Sequence, residues 1–108
     1  MNLGLSSKVI RRELGITQYE LSEKCGISQT SLSQIETGTK RPSPRTIKRI
    51  CEVLEVPESI IYILGMQDSD VPESKKGIYS LIFPSIQNLA LQIVSDEHVA
   101  FVASKVAV

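Results

Sequence analysis

Apolar residues recur at helical spacing along the first two-thirds of the chain, with glycines and small polar residues between the apolar segments. Leu3, Ile10 and Leu14 lie seven and four positions apart, which predicts a first helix that ends at Leu14. Gly15 comes next, and glycine readily adopts the left-handed conformation that ends a helix. The pattern therefore predicts that the chain opens with an α-helix.

A capping box marks the start of the second predicted helix. The Thr17 hydroxyl can accept from an unpaired amide of the first turn, and Glu20, three residues later, can reach back to the cap. Gly26 supplies the next helix stop. We therefore expect a helix from Gln18 to Cys25.

The same features predict three more helices before residue 66. A serine N-cap accepts from a first-turn amide, and proline is favoured at the first helical position because the amide it lacks would be unpaired there. Such residues precede three successive segments of helical apolar spacing. The expected helices run from Gln29 to about Glu36, from Pro44 through Leu54, and from Pro57 to Gly65.

These short helices predict an all-α protein, because no segment before residue 66 shows the alternation typical of a strand. Residues 1–66 are expected to form a five-helix domain, and the polar residues 67–72 a linker. Isoleucine and leucine at helical spacing predict a helical extension over residues 73–108, which Pro84 should kink or divide. The apolar run 99–103 fits a helix or a short strand.

Composition fits one small globular domain in a reducing compartment. The chain has 108 residues, of which 42% are hydrophobic, and a formal net charge of zero, which argues against disorder. No uninterrupted apolar run approaches the roughly 20 residues of a membrane span, so no membrane partner is expected. The first residues lack the basic start and apolar stretch of a signal peptide. With two cysteines only, the expected location is the cytoplasm.

The neutral net charge hides a local excess of basic residues. The window from Thr37 to Cys51 contains five basic residues and no acidic one. Such a window points to an anionic partner, although a solvated helix face explains it as simply.

The most informative stretch joins the second and third predicted helices. The short turn over residues 25–28 forces two capped helices to cross steeply, as in a helix-turn-helix. Leu32 and Ile35 are expected to face inward. The opposite face then carries amides and hydroxyls without charge, which suit the edges of bases in the major groove, although a solvated face is the simpler alternative. Its members are Gln29, Thr30, Ser33 and Gln34, with Ser31 near the rim.

Candidate phosphate contacts flank that face. Gln18 lies in the first turn of the second helix, where unpaired amides favour an anion. Lys40 and Arg41 follow the third helix in a loop. Such contacts hold a protein on DNA without reading its sequence, although both sites also fit ordinary surface residues.

Together these residues resemble the phage repressor/Cro class of helix-turn-helix proteins, also called the XRE class. The resemblance covers about residues 3–66 and depends on many spaced positions at once. These include Arg11, Leu14-Gly15-Ile16-Thr17-Gln18-Tyr19-Glu20-Leu21, Gly26-Ile27-Ser28, Leu32-Ser33-Gln34-Ile35-Glu36 and Gly38. Ser7 departs from the family, which usually has an aliphatic residue there.

The resemblance implies a five-helix, repressor-like DNA-binding domain with its third helix in the major groove. It implies that Arg11 and Glu36 form a partly buried structural ion pair between the first and third helices. The implied base-proximal residues are Gln29, Thr30, Ser31, Ser33 and Gln34, and the implied phosphate contacts are Gln18, Lys40 and Arg41.

Other candidate sites are weaker. His98, the only histidine, has no nearby nucleophile or acid arranged for catalysis, and Tyr19 fits packing or exposure as well as a phosphate contact. Cys25 and Cys51 fit structural thiols better than redox sensors. No catalytic residue, metal ligand set or cofactor motif is predicted.

The sequence therefore predicts a bacterial or phage regulator that binds double-stranded DNA, with repression of a palindromic operator by a homodimer as the leading hypothesis. The region from Ile78 to Val94 is a candidate dimer contact, since it carries more isoleucine and leucine than a short appendage buries; packing on its own domain is the alternative. An antitoxin whose extension binds a toxin, or another protein partner there, is a related hypothesis. A helical adaptor that does not bind DNA is the rival from another class.

Overall fold

The computed structural model describes residues 1–95, and every regular element in that range is helical. The predicted all-α fold, with a helical segment after the five-helix domain, is confirmed. The helices are α1 Leu3–Glu13, α2 Gln18–Cys25, α3 Gln29–Thr37, α4 Pro44–Leu54, α5 Glu58–Gly65 and α6 Lys76–Val94, with 3-10 turns at Asp68–Asp70 and Glu73–Lys75.

The capping residues start and stop the helices largely as their chemistry predicts. The hydroxyl of each serine or threonine N-cap accepts from the amide three residues on: Glu20 to Thr17 at 3.1 Å, Ser31 to Ser28 at 3.0 Å and Thr46 to Ser43 at 3.2 Å. Gly26 and Gly38 end α2 and α3 in the left-handed conformation, with φ of 70° and 83°. The expected bounds are off by one residue at three helix ends, because the first helix stops at Glu13, the third continues to Thr37 and the fifth starts at Glu58.

The core lies where α1 to α5 meet. Each of these helices contributes a side chain that is at most 1% exposed, so all five bury their apolar faces against a shared centre. These side chains are Ile10, Leu21, Leu32, Ile47, Ile50 and Ile61.

Two serines are fully buried in α1. The hydroxyl of Ser6 donates to the carbonyl of Ile61 in α5, and that of Ser7 donates to the carbonyl of Leu3 at 2.8 Å. Because both hydroxyls are paired, their burial leaves no unsatisfied polar group. The departure from the family at Ser7 is therefore compatible with a helix that begins at Leu3.

The C-terminal helix α6 is one uninterrupted element of 19 residues. Of the two effects expected of Pro84, division of the helix is wrong, and a kink stays a prediction. Proline cannot donate to the carbonyl of residue 80, but Pro84 and Ser80 are both exposed, so water can satisfy that carbonyl. The helix therefore continues through a residue that usually interrupts one.

One side of α6 packs against α1 and α5. Phe83, Ala90 and Val94 are buried there, at 8%, 4% and 1% exposure. Tyr79 stacks on Phe83 with ring centroids 4.7 Å apart, and its hydroxyl donates to the carbonyl of Met66 at 3.2 Å. The segment between α5 and α6 is folded as well as polar, since it contains both 3-10 turns.

By length and composition alone, one segment is apolar enough to cross a membrane. Glu73–Val94 has a mean hydropathy of 1.3 in an 18-residue window, of which 17% is buried. The sequence nevertheless contains no uninterrupted apolar run of that length, because serine, glutamine and asparagine residues interrupt the segment. Helices of soluble proteins also meet the criterion, so the measure by itself assigns no membrane role.

The close approach of α1 to α3 at Gly4 predicts a large loss of stability from one added methyl group. A Cβ added at Gly4 of α1 would lie 1.8 Å from the backbone carbonyl oxygen of Ile35 in α3. We expect Gly4→Ala to lower the free energy of unfolding by at least about 2 kcal/mol, because the backbone of α3 would have to shift. Urea unfolding followed by circular dichroism measures the change.

Gly77→Ala is the matched control for that substitution. Gly77 lies in α6 with open space around it, so the added methyl should stabilise the helix by about 0.5–1 kcal/mol. Equal stability of the Gly4→Ala protein and the unmodified chain would contradict the close approach of α1 and α3.

Candidate nucleic-acid interface

The second and third helices form a helix-turn-helix whose turn is held by backbone hydrogen bonds. The amide of Ile27 donates to the carbonyl of Ser22 at 3.1 Å, and Gly26 has a left-handed conformation. Ser28 then caps α3 directly. Because this connection is short, the orientation of α3 is set by α2 and by the buried side chains on which α3 packs.

The outward face of α3 has the polarity expected from sequence. Leu32 and Ile35 are buried beneath it, at 0% and 2% exposure. Gln29, Thr30 and Gln34 are exposed, whereas Ser31 and Ser33 are half-buried. A shallow, open depression gathers four of these five side chains beside Gln18 of α2; its lining residues are Gln18, Gln29, Thr30, Ser33 and Gln34.

A buried ion pair anchors α3 from the opposite side. Arg11 of α1 donates to both carboxylate oxygens of Glu36, through Nε at 2.8 Å and Nη2 at 3.0 Å. Its Nη1 donates to the carbonyl of Ile16 at 2.8 Å. The side chains of Arg11 and Glu36 are only 9% and 1% exposed. The implied structural pair is therefore present, and it joins α1, the α1–α2 connection and α3.

Gln18 links this ion pair to the outward face of α3. Its Nε2 donates to Glu36 Oε1 at 3.1 Å, and its Oε1 accepts from Gln29 Nε2 at 3.4 Å. Because a carboxylate can only accept, the amide nitrogen of Gln18 must face Glu36, which leaves its oxygen for Gln29. The side chain predicted as a phosphate contact is thus also hydrogen-bonded to Gln29, a predicted base-proximal residue.

Lys40 lies against the first turn of α3. Its ammonium donates to Ser31 Oγ at 3.0 Å, and its backbone amide donates to the carbonyl of Gln34 at 3.0 Å. Arg41 is exposed beside it. Within residues 1–95, neither of these cations lies within 4 Å of a carboxylate oxygen, so neither forms an ion pair there beside the outward face of α3.

A second group of basic residues was not assigned a role from sequence. Arg45, Lys48 and Arg49 of α4 border an open groove of about 570 Å³ with Cys25 and Ile27 at the helix-turn-helix turn. Arg49 is already engaged there, with the carbonyl of Lys24 at 3.5 Å and with Glu52 at 3.7 Å. The basic window of the sequence therefore divides between two surfaces of the domain.

The two cysteines are buried thiols. Burial raises the pKa of Cys51 to about 11, with a further increase from the Glu58 carboxylate. Burial also raises the pKa of Cys25, against a smaller opposing effect of Arg49. Both groups are therefore protonated at neutral pH, when a thiol is a poor nucleophile. Tyr19 is 59% exposed on α2, and His98 lies outside the described residues.

Residues 8–61 match the helix-turn-helix family. The chain is 33% identical over 97 residues to the HTH-type transcriptional regulator ImmR of Bacillus subtilis, covering 90% of this chain and 71% of that protein. It is 33% identical over 66 residues to the HTH-type transcriptional repressor RghR of the same organism, covering 59% of this chain and 49% of that protein. It is 34% identical over 61 residues to the immunity repressor protein of Bacillus phage phi105, covering 56% of this chain and 42% of that protein.

The chain belongs to the helix-turn-helix family of the phage repressor type, which confirms the resemblance found in the sequence. The family and these relatives indicate a DNA-binding regulator of transcription and not an enzyme. The chain spans about half the length of RghR and 71% of the length of ImmR.

The ion pair beneath α3 predicts a large effect on stability. Arg11→Met would leave the Glu36 carboxylate buried without its partner, which should lower the free energy of unfolding by about 3–5 kcal/mol. Urea unfolding gives the value. Arg12→Met is the matched control, since Arg12 is the exposed neighbour and should change stability by less than about 0.5 kcal/mol. A similar small loss in both variants would mean that the pair does not hold α3.

Proposed function

We propose that this protein is a transcriptional repressor that reads a palindromic operator as a homodimer, with α3 of each copy in the major groove. The observation that carries the proposal is the uncharged surface of amides and hydroxyls on α3, flanked by Lys40 and Arg41, which pair with no carboxylate of residues 1–95. A surface of this kind can both donate to and accept from base edges, while the flanking charge supplies attraction to the backbone.

Sequence reading is assigned to Gln29, Thr30, Ser31, Ser33 and Gln34. A glutamine amide can pair bidentately with adenine, and a hydroxyl can serve several bases. The hydrogen-bonded series from Arg11 through Glu36 and Gln18 to Gln29 supports this role. A base-contacting side chain that is held in place before binding loses less conformational entropy when it binds the base.

Backbone contact is assigned to Lys40, Arg41 and Gln18. Lys40 and Arg41 lie beside α3 without a carboxylate partner among the described residues, as phosphate contacts require. Gln18 lies in the first turn of α2, where helix amides attract an oxygen anion. These contacts set the position of α3 along the groove.

A dimer is proposed because one domain of this size covers one half-site. Two copies related by a two-fold axis present two recognition helices, and half-sites about one DNA turn, or roughly 34 Å, apart match that symmetry. Occupation of such a site excludes polymerase from an overlapping promoter. The proposed location is the cytoplasm of a bacterium, where this DNA lies.

Selection of bound sites from random duplexes by the full chain tests the proposal. We expect enrichment of a palindrome whose half-sites are about one helical turn apart. Absence of duplex binding at low salt would instead favour an adaptor that has kept the fold without the activity.

Substitution of the proposed readers should affect one kind of DNA only. Gln34→Ala or Gln29→Ala should weaken binding to the selected site by about 1–3 kcal/mol and change binding to random duplex little, because only base contacts are lost. Fluorescence anisotropy on both duplexes measures the difference. Equal losses on the two duplexes would reassign these residues to backbone contact.

Substitution of a proposed phosphate contact should act on both kinds of DNA. Arg41→Ala should weaken binding to either duplex and reduce the slope of log affinity against log salt by about one unit. Titrations at several salt concentrations give the slope. Lys75→Ala is a control, since Lys75 is an exposed lysine between α5 and α6; an Arg41→Ala slope equal to that of this control would exclude a phosphate contact.

A further inference from the structure

One side of α6 carries a row of exposed apolar residues. Six large aliphatic side chains lie there with 37% to 77% of their surface exposed. Ile78, Ile82, Ile86, Leu89 and Ile93 recur every three or four residues, and Leu81 lies next to Ile82, so the six form one strip along the helix. We call this strip the outer stripe: Ile78, Leu81, Ile82, Ile86, Leu89 and Ile93.

The outer stripe cannot turn inward without undoing existing contacts. The neighbouring side of α6 already buries Phe83, Ala90 and Val94 against the domain, and Tyr79 hydrogen-bonds to Met66. Rotation of the helix would expose Val94, which is 1% exposed. The stripe is therefore surplus to what residues 1–95 bury.

The extent of the stripe matches a protein interface. The exposed fractions leave on the order of 600 Å² on each copy, so two copies would bury about 1,200 Å², the lower end of the range for specific interfaces. A monomer rarely shows so large a continuous apolar patch without a binding role.

The charge pattern selects a second copy as the occupant. Between Lys76 and Val94 the chain carries no charged residue, and the polar residues are Tyr79, serines, glutamines and one asparagine. In a two-fold interface each residue near the axis meets its own copy, so a charge there would meet a like charge. An uncharged stripe meets this condition and gives a charged partner nothing to pair with.

We propose that the outer stripe packs against the outer stripe of a second copy of this chain in a two-fold symmetric dimer. This inference rests on the proposed function, which requires a homodimer, and it names the surface that forms it. Because α6 is docked on α1 and α5, the interface orients two DNA-binding domains and does not merely tether them.

Sedimentation velocity of the full chain with a matched pair of variants tests the interface. Leu89→Glu places a carboxylate in the stripe, at a side chain that is 60% exposed and contributes little to the fold of one chain. Gln87→Glu adds the same charge two residues away, at an exposed polar position. We expect dimers for the unmodified chain and for Gln87→Glu, and an 11.9 kDa monomer with unchanged helical circular dichroism for Leu89→Glu.

The expected increase in the dimer dissociation constant for Leu89→Glu is at least about 100-fold, since two carboxylates would be buried facing each other. Leu81→Glu, at the most exposed position of the stripe, provides a second variant if Leu89→Glu does not fold. A dimer that survives both substitutions would overturn the inference. So would an unmodified chain that stays monomeric, or one that floats with neutral phosphatidylcholine vesicles.

DNA binding separates failure of the interface from failure of the proposed function. Monomeric Leu89→Glu should keep binding to random duplex at low salt and lose at least about tenfold in affinity for the two-half-site duplex, because the second contact is no longer linked to the first. A dimeric unmodified chain that selects no DNA sequence would refute the proposed function and leave the interface standing. Undiminished affinity of a monomeric variant for the full site would show that the stripe does not connect the two half-sites.

Discussion

The buried pair of Arg11 and Glu36 is the contact on which the position of α3 depends. It joins the first helix to the third, and the remaining guanidinium donor holds the connection before the second helix. Two charges in an apolar interior are costly unless their hydrogen bonds are satisfied, and here both carboxylate oxygens and three guanidinium nitrogens have partners. The pair therefore fixes the relative positions of α1, the α1–α2 connection and α3.

The same pair is linked to the outward face of α3 through the side-chain amide of Gln18. Gln18 spans the distance between the buried carboxylate and the first residue of α3, and its orientation is dictated by the chemistry of Glu36. The hydrogen bonds of Glu36, near the C-terminal end of α3, thus continue through Gln18 to Gln29 at its N-terminal end. Elsewhere in the domain, α6 divides its residues between an inner face that completes the core and an outer stripe that residues 1–95 leave uncovered.

Much of this architecture could be predicted from the sequence because it is determined locally. Caps such as Ser28 and stops such as Gly26 act within one turn, so the bounds of α2 follow from a few adjacent residues. The link between Gln18 and Glu36 crosses 18 positions between two helices, and no spacing rule gives it. The wrong expectation that Pro84 divides the helix has the opposite cause, since the local rule against proline was outweighed by packing of both halves of α6, and the carbonyl left without a donor belongs to the exposed Ser80.

The hydrogen bond from Lys40 to Ser31 joins a proposed phosphate contact to a proposed base contact. An ammonium has three N–H donors, so Lys40 can donate to a phosphate and to Ser31 together. Ser31 Oγ accepts in this bond, and its own hydroxyl proton stays available to a base in the proposed complex. Contact with the DNA backbone and contact with a base would then be coupled through one lysine.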